Sequence, residues 1–100
     1  MTAPAVFAPA ALEDLRQAMA WISRDNPAAA RALRDAALHA ARRLGTHPQL
    51  GAIRPHLAAP RYRFLLLRGF PYVAVYTAET SPPRILRVLH GARDIPGLLG

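Results

Sequence analysis

The spacing of apolar residues changes once along this chain, dividing it into a helical first half and a stranded second half. Leu12, Leu15, Met19 and Ile22 recur at steps of three and four, the stripe of an amphipathic helix that starts at Pro9. Proline suits a first helical turn, and Glu13 and Asp14 follow where the helix dipole favours negative charge. Ser23-Arg24-Asp25-Asn26-Pro27 breaks this stripe. Asp25 or Asn26 can cap a second helix, with Pro27 in its first turn. That helix is expected to run to about Leu44 on a stripe of Ala30, Leu33, Ala37, Ala40 or Ala41, and Leu44. Gly45 is expected as its left-handed C-cap, with Arg42 and Arg43 in its last turn. So small a stripe lets another helix approach closely, and so short a break folds the two helices back as a hairpin.

Around this hairpin the pattern is extended. Pro4 and Pro9 bracket Ala5-Val6-Phe7-Ala8, which reads as a brief strand. Residues 46–60, THPQLGAIRPHLAAP, carry three prolines and no helical period, so an irregular connection is expected there, pinned by Leu50, Ile53 and Leu57. Tyr62–Leu67, Tyr72–Thr77 and Arg84–His90 are rich in aromatic and β-branched residues and are separated by Arg-Gly-Phe-Pro and Ser-Pro-Pro turns. Short connections make these three strands an antiparallel meander. The expected fold is α+β, in the order β-α-α-β-β-β, with an N-terminal helical hairpin packed on a small, mainly antiparallel sheet in one domain spanning 1–100.

Charge narrows the functional classes. The net charge is +7, and all thirteen basic residues are arginine, which points to an anionic partner such as nucleic acid or an acidic protein segment. Without cysteine there is no disulfide framework or thiolate chemistry. His47 and His56 have no acidic or cysteine partners at ligand spacing, so neither a metal nor a cofactor is expected. No apolar run reaches the roughly 20 residues of a membrane span. The opening MTAPAVFAPAALED has too short an apolar part and no basic flank for a signal peptide, so a cytoplasmic location is expected.

The stretch RILRVLHGARDIPGLLG, from Arg84 onward, carries the chemistry worth testing. Alternation separates Leu86, Val88 and His90 from Ile85, Arg87 and Leu89. Arg87 is costly to bury, so Leu86 and Val88 are expected to face the helices. Ile85, Arg87 and Leu89 then form an outer surface that either binds a partner or is covered by a loop or the tail. His90 can serve as a general acid or base, or as a brace bonded to backbone at the strand end. Its only acidic neighbours in sequence are Glu79 and Asp94, with no cysteine or nearby serine nucleophile, which favours the brace. Tyr62, Tyr72 and Tyr76 read as cross-strand packing rather than a base-stacking platform, and Trp21 as packing against the sheet or a partner. The residues alone describe a small basic binding domain without an evident catalytic set.

Three stretches also carry a family likeness: Asp25-Asn26-Pro27 between the helices, THPQLG after the second, and the ending ILRVLHGARDIPGLL. Together they resemble the ParE branch of the ParE/RelE toxin superfamily, the toxin halves of type II toxin–antitoxin modules. The likeness covers nearly the whole chain and is most specific at Arg87–Asp94. It implies the same strand and helix order, and a cognate antitoxin whose acidic C-terminal segment folds on binding, with Trp21, Ile85 and Leu89 as its contacts. It implies DNA gyrase as the target, met through Arg87, His90, Arg93 and Asp94 and the tail, without sequence-specific nucleic-acid binding. The RelE-like branch instead cuts messenger RNA on the ribosome. Its charged strand positions fall here at about Phe64, Leu66 and Val73, and its C-terminal tyrosine near Leu99. Only Arg93 is retained, so a ribonuclease would have to rely on Arg93 and His90. A binding homologue without toxicity is the other alternative.

Overall fold

Asn26 ends one helix and starts the next. The computed structural model describes residues 2–95. In it α1 spans Pro9–Ser23 and α2 spans Pro27–Thr46, and the Asn26 side-chain oxygen accepts from the Ala29 backbone amide at 3.1 Å. This satisfies one of the donors that a helix start leaves open. Ala8, which precedes α1, supplies no such side-chain bond, and Pro9 removes one donor instead. The expected stripe of α2 is buried throughout, from Ala30 and Leu33 to Leu44. That of α1 is rotated by about one residue. Ala11, Leu15 and Ala18 are buried, Met19 and Ile22 pack at its margin, and Leu12 lies exposed. Glu13 and Asp14 fall beyond the first turn; Glu13 pairs with the Arg16 and Gln17 side chains, and Asp14 with groups of the last strand, rather than with the helix dipole.

Gly45 corrects another expectation. It is not a left-handed cap, because α2 continues through it and His47 closes the helix by donating its amide to Arg43 O at 2.7 Å. The extension leaves Arg43, without Arg42, in the last turn. Glycine is required for a different reason: a Cβ there would meet the Ala3 carbonyl oxygen at 2.1 Å. The N-terminal segment crosses α2 at this point, and the Ala5 amide donates to Ala41 O at 2.8 Å. Among the described residues Gly69 is the one with positive φ, at 86°, in a turn closed by the Phe70 amide donating to Leu67 O. Those features describe a type II turn, whose third position favours glycine.

Among the described residues the sheet has five strands where four were expected. β1 is Val6–Phe7, β2 Ala52–Ile53, β3 Tyr62–Leu66, β4 Tyr72–Thr77 and β5 Arg84–His90, in the spatial order β1-β5-β4-β3-β2. Only the β1–β5 pair is parallel. The added strand, β2, lies inside the connection that read as irregular; two paired residues are too few to show a period. That connection is held less by Leu50 and Ile53, both about two-fifths exposed, than by Tyr76 beneath it. The Tyr76 hydroxyl accepts from the Gly51 amide at 2.7 Å and donates to Pro48 O at 2.8 Å. Burial pushes this phenol's pKa up, with the Gly51 bond and the Arg63 charge acting in the opposite direction. Arg63 adds bonds to the Gln49 and Gly51 carbonyls.

Two apolar layers sandwich the sheet. On the helix side Ile85, Val88, Ala74 and Tyr76 pack with Leu15, Leu33 and Leu44. On the other side Phe64, Val75 and Leu89 pack with Leu57, Tyr62, Val73 and Ile95. Ile85 therefore faces the helices, fully buried, and not the outer surface where alternation placed it. The reason is a bulge: Val75 pairs with Arg87 and Tyr76 with Ile85, so Leu86 has no opposite number. One extra residue resets the alternation of everything before it.

Gly45→Ala separates close approach from helix propensity. Propensity alone favours alanine by about 1 kcal/mol. The clash with the Ala3 carbonyl predicts instead a loss of about 1–3 kcal/mol, of the order found for overpacking, measured by urea denaturation. A stabilised variant would contradict this account of Gly45.

Candidate functional site

β1 is so short that it covers only Arg84 and Ile85 of β5. Beyond them β5 is an open edge, and exposed edge donors invite pairing with another chain. Two aspartates occupy these donors. The Asp14 side chain, from α1, accepts from the Val88 amide at 3.0 Å, and the Asp94 side chain accepts from the His90 amide at 2.8 Å. Asp94 also returns its own amide to His90 O at 2.8 Å, which closes the turn after the strand. The Asp14 contact is not predictable from local spacing, because Asp14 lies 74 residues from Val88.

The same carboxylates orient two arginines. Arg87 leaves β5 opposite Val75 of the outer layer and reaches round the open edge to Asp14. Its Nε and Nη2 donate to the two Asp14 oxygens at 2.6 and 2.9 Å, a bidentate pair in which Asp14 is largely buried and Arg87 about half exposed. Arg93 Nε donates to Asp94 Oδ1 at 3.2 Å. The guanidinium groups stay partly open to solvent, and their pKa values are raised chiefly by these carboxylate bonds.

Between α1 and this edge runs an open groove of about 780 Å³. Asp14, Gln17, Ala18 and Trp21, at steps of three and four along α1, form one wall; Tyr72, Arg87, Val88, Leu89, Arg93 and Asp94 form the other. Trp21 is 64% exposed, with the Arg24 guanidinium 5.1 Å from its ring centre. Leu89 borders the groove but is buried in the outer layer. The groove thus gathers Trp21, Arg87, Leu89, Arg93 and Asp94 of the residues singled out from the sequence. Ile85 is excluded by its burial, and the tail beyond Ile95, with Leu99, lies outside the described residues. Asp14, Gln17 and Tyr72 were missed, although the α1 spacing of 14, 17, 18 and 21 was there to be read.

His90 stands behind the groove, bonded to backbone and packed on Tyr72. Its ring meets Tyr72 edge-on at 5.4 Å, and Nδ1 accepts from the Arg93 amide at 3.2 Å. With Nδ1 accepting, a neutral imidazole carries its proton on Nε2, so it presents a donor rather than a free base. Among the described residues no cluster of three or more His, Cys, Asp or Glu side chains forms a metal site, and no helix is long and apolar enough to cross a membrane. The arrangement suits recognition of an extended or helical segment carrying apolar and acidic side chains.

Removing the Asp14 carboxylate should expose the edge. Asp14→Ala leaves the Val88 amide without its acceptor and is expected to destabilise the fold by about 1–3 kcal/mol. Asp14→Asn keeps an acceptor and should cost less. Urea denaturation and Val88 amide exchange check both; equal effects would contradict an edge-capping role. For Asp94, the His90 amide is the main influence holding the carboxyl below the ordinary value of 3.8, against a smaller upward push from burial and with help from Arg93. A pKa depressed by folding contributes stability at pH above the unfolded value and loses it as pH falls through the folded one. The stability gap between wild type and Asp94→Asn should hold steady at neutral pH and shrink as pH drops below 3.8.

In fold the chain resembles a solved structure described as the chromosomal ParDE TA system from P. aeruginosa, with a TM-score of 0.71 and 21% identity over 89% of this chain and 96% of that one. No curated protein sequence gives a significant match. A family model described as the ParE toxin of type II toxin-antitoxin system, parDE, matches residues 5–95. With that match spanning both helices and the whole sheet, the chain belongs to the ParE toxin family.

Proposed function

We propose that this toxin acts in the cytoplasm by binding DNA gyrase, and that its antitoxin neutralises it by seating an acidic, apolar segment in the groove beside α1. The observation that carries the antitoxin half is Trp21. A tryptophan left mostly exposed between Arg24, Arg87 and Arg93 loses water from a large ring only when a partner arrives. Arginines on both sides favour carboxylates on that partner, and their bonds to Asp14 and Asp94 hold them in place before it binds. Pre-ordered side chains reduce the entropy lost on association.

The gyrase half rests on the family and on what the sheet lacks for RNA cleavage. The outer layer is apolar where the ribonuclease branch places charge: Phe64 is buried and Val73 packs beside it. Transition-state stabilisation at a scissile phosphate needs cationic donors aimed at the developing charge. His90, with Nδ1 engaged by backbone, supports a bracing role. The reading is therefore a toxin that grips its target and breaks no covalent bond. Arg87, Arg93 and Asp94, with His90 behind them, remain the proposed target contacts, which makes antitoxin and target competitors for one surface.

Supercoiling by purified gyrase should fall when the toxin is added and recover with the antitoxin. Codon-specific cleavage in a translating extract, with gyrase unaffected, would contradict the proposal. Trp21 is the single tryptophan, so its fluorescence should report antitoxin binding directly. Trp21→Ala should weaken the complex by about 2 kcal/mol or more, the range of an interface hot spot, without unfolding the toxin. Unchanged affinity, by calorimetry, would remove the groove from the account.

A further inference from the structure

The opposite edge of the sheet carries a second cationic surface of different character. Between Asp35 and Glu79 the sequence contains no acidic residue, yet it holds six of the thirteen arginines. Two of them, Arg54 and Arg63, lie at β2, and Arg43 lines a depression beside the segment that leads into it. His39, Arg42, Arg43 and Thr46 lie on one face of α2, opposite its buried stripe. His39, Arg43 and His47 line an open depression with Pro48, Gln49 and Leu50. Arg63 bonds the Gln49 and Gly51 carbonyls and pairs in register with Ile53, next to Arg54. Among the described residues the ion pairs are Arg16–Glu13, Arg34–Asp35, Arg87–Asp14 and Arg93–Asp94, none of which lies on this edge.

We infer that this β2 edge binds the phosphate backbone of duplex DNA without regard to sequence. An arginine surface with acids only at its margins, Asp35 on α2 and Glu79 near Arg61, matches a polyanion, because each neutralised phosphate releases condensed counterions. Among the described residues the edge lacks the stacking platform that single strands use: Phe64 is buried and Tyr62 is partly buried with Arg61 over its ring, 4.8 Å from the centre. Nor does it resemble the groove near Trp21, where acids alternate with arginines. The two surfaces flank opposite edges of one sheet, so DNA and a groove-bound peptide can be held at once. This activity stands apart from gyrase inhibition, and either can fail without the other.

The test is fluorescence anisotropy of a labelled duplex of about 20 base pairs titrated with the full chain, without gyrase, across salt from about 50 to 200 mM. Binding should weaken linearly on a log–log plot, with a slope of roughly −0.9 for each phosphate contacted. Arg42→Gln, Arg43→Gln and Arg54→Gln together should lower affinity at least about tenfold and flatten the slope by about 2–3. A control with Arg16→Gln, Arg31→Gln and Arg34→Gln removes the same charge elsewhere on the hairpin and should change affinity less than about twofold. Circular dichroism confirms that both variants fold. No binding at low salt, equal losses in the two variants, or preference for single-stranded RNA or an acidic peptide over the duplex would each overturn the inference.

Discussion

The open edge of β5 is the constraint on which the site depends. A two-residue β1 cannot pair the whole of a seven-residue β5, so donors past Ile85 need other acceptors. Asp14 and Asp94 supply them, and in doing so they fix Arg87 and Arg93 at the mouth of the groove. One pair of carboxylates thereby performs two tasks: it blunts an edge prone to unwanted pairing and it pre-orders the cations proposed to meet a partner. An exposed ion pair alone contributes little. Asp14 differs because it is largely buried and accepts three hydrogen bonds.

The bulge at Leu86 belongs to the same design. It turns Ile85 toward the helices while leaving Arg87 opposite Val75, where the side chain can bend round the edge. Without the extra residue, strict alternation would keep Ile85 and Arg87 on one face. The bulge thus lets one strand bury Ile85 under the helices and still present Arg87 at the groove, a common placement for bulges.

The helices were legible because their stripes are long and their break carries a capping asparagine and a proline. The meander was legible from its composition and turns. What was not legible depended on contacts distant in sequence. Asp14 reads as a helix-start acid until β5 is laid beside it, 73 residues away. Gly45 reads as a cap because its role, admitting the Ala3 carbonyl, involves a segment 42 positions earlier. Ile85 was assigned to the wrong face because a bulge leaves no mark in a seven-residue pattern, and β2 was too short to show one. From the sequence Arg87, Arg93 and Asp94 were grouped as target contacts and Trp21 was assigned apart from them to the antitoxin; only the packing of α1 on β5 brings all four to one groove.

The most direct test of this surface is photocrosslinking within the intact toxin–antitoxin complex, with benzoylphenylalanine replacing Trp21 in one sample and Ile53, on the far edge, in another. The account predicts that the probe at Trp21 captures the acidic C-terminal segment of the antitoxin and the probe at Ile53 does not. Capture from Ile53 alone would contradict it.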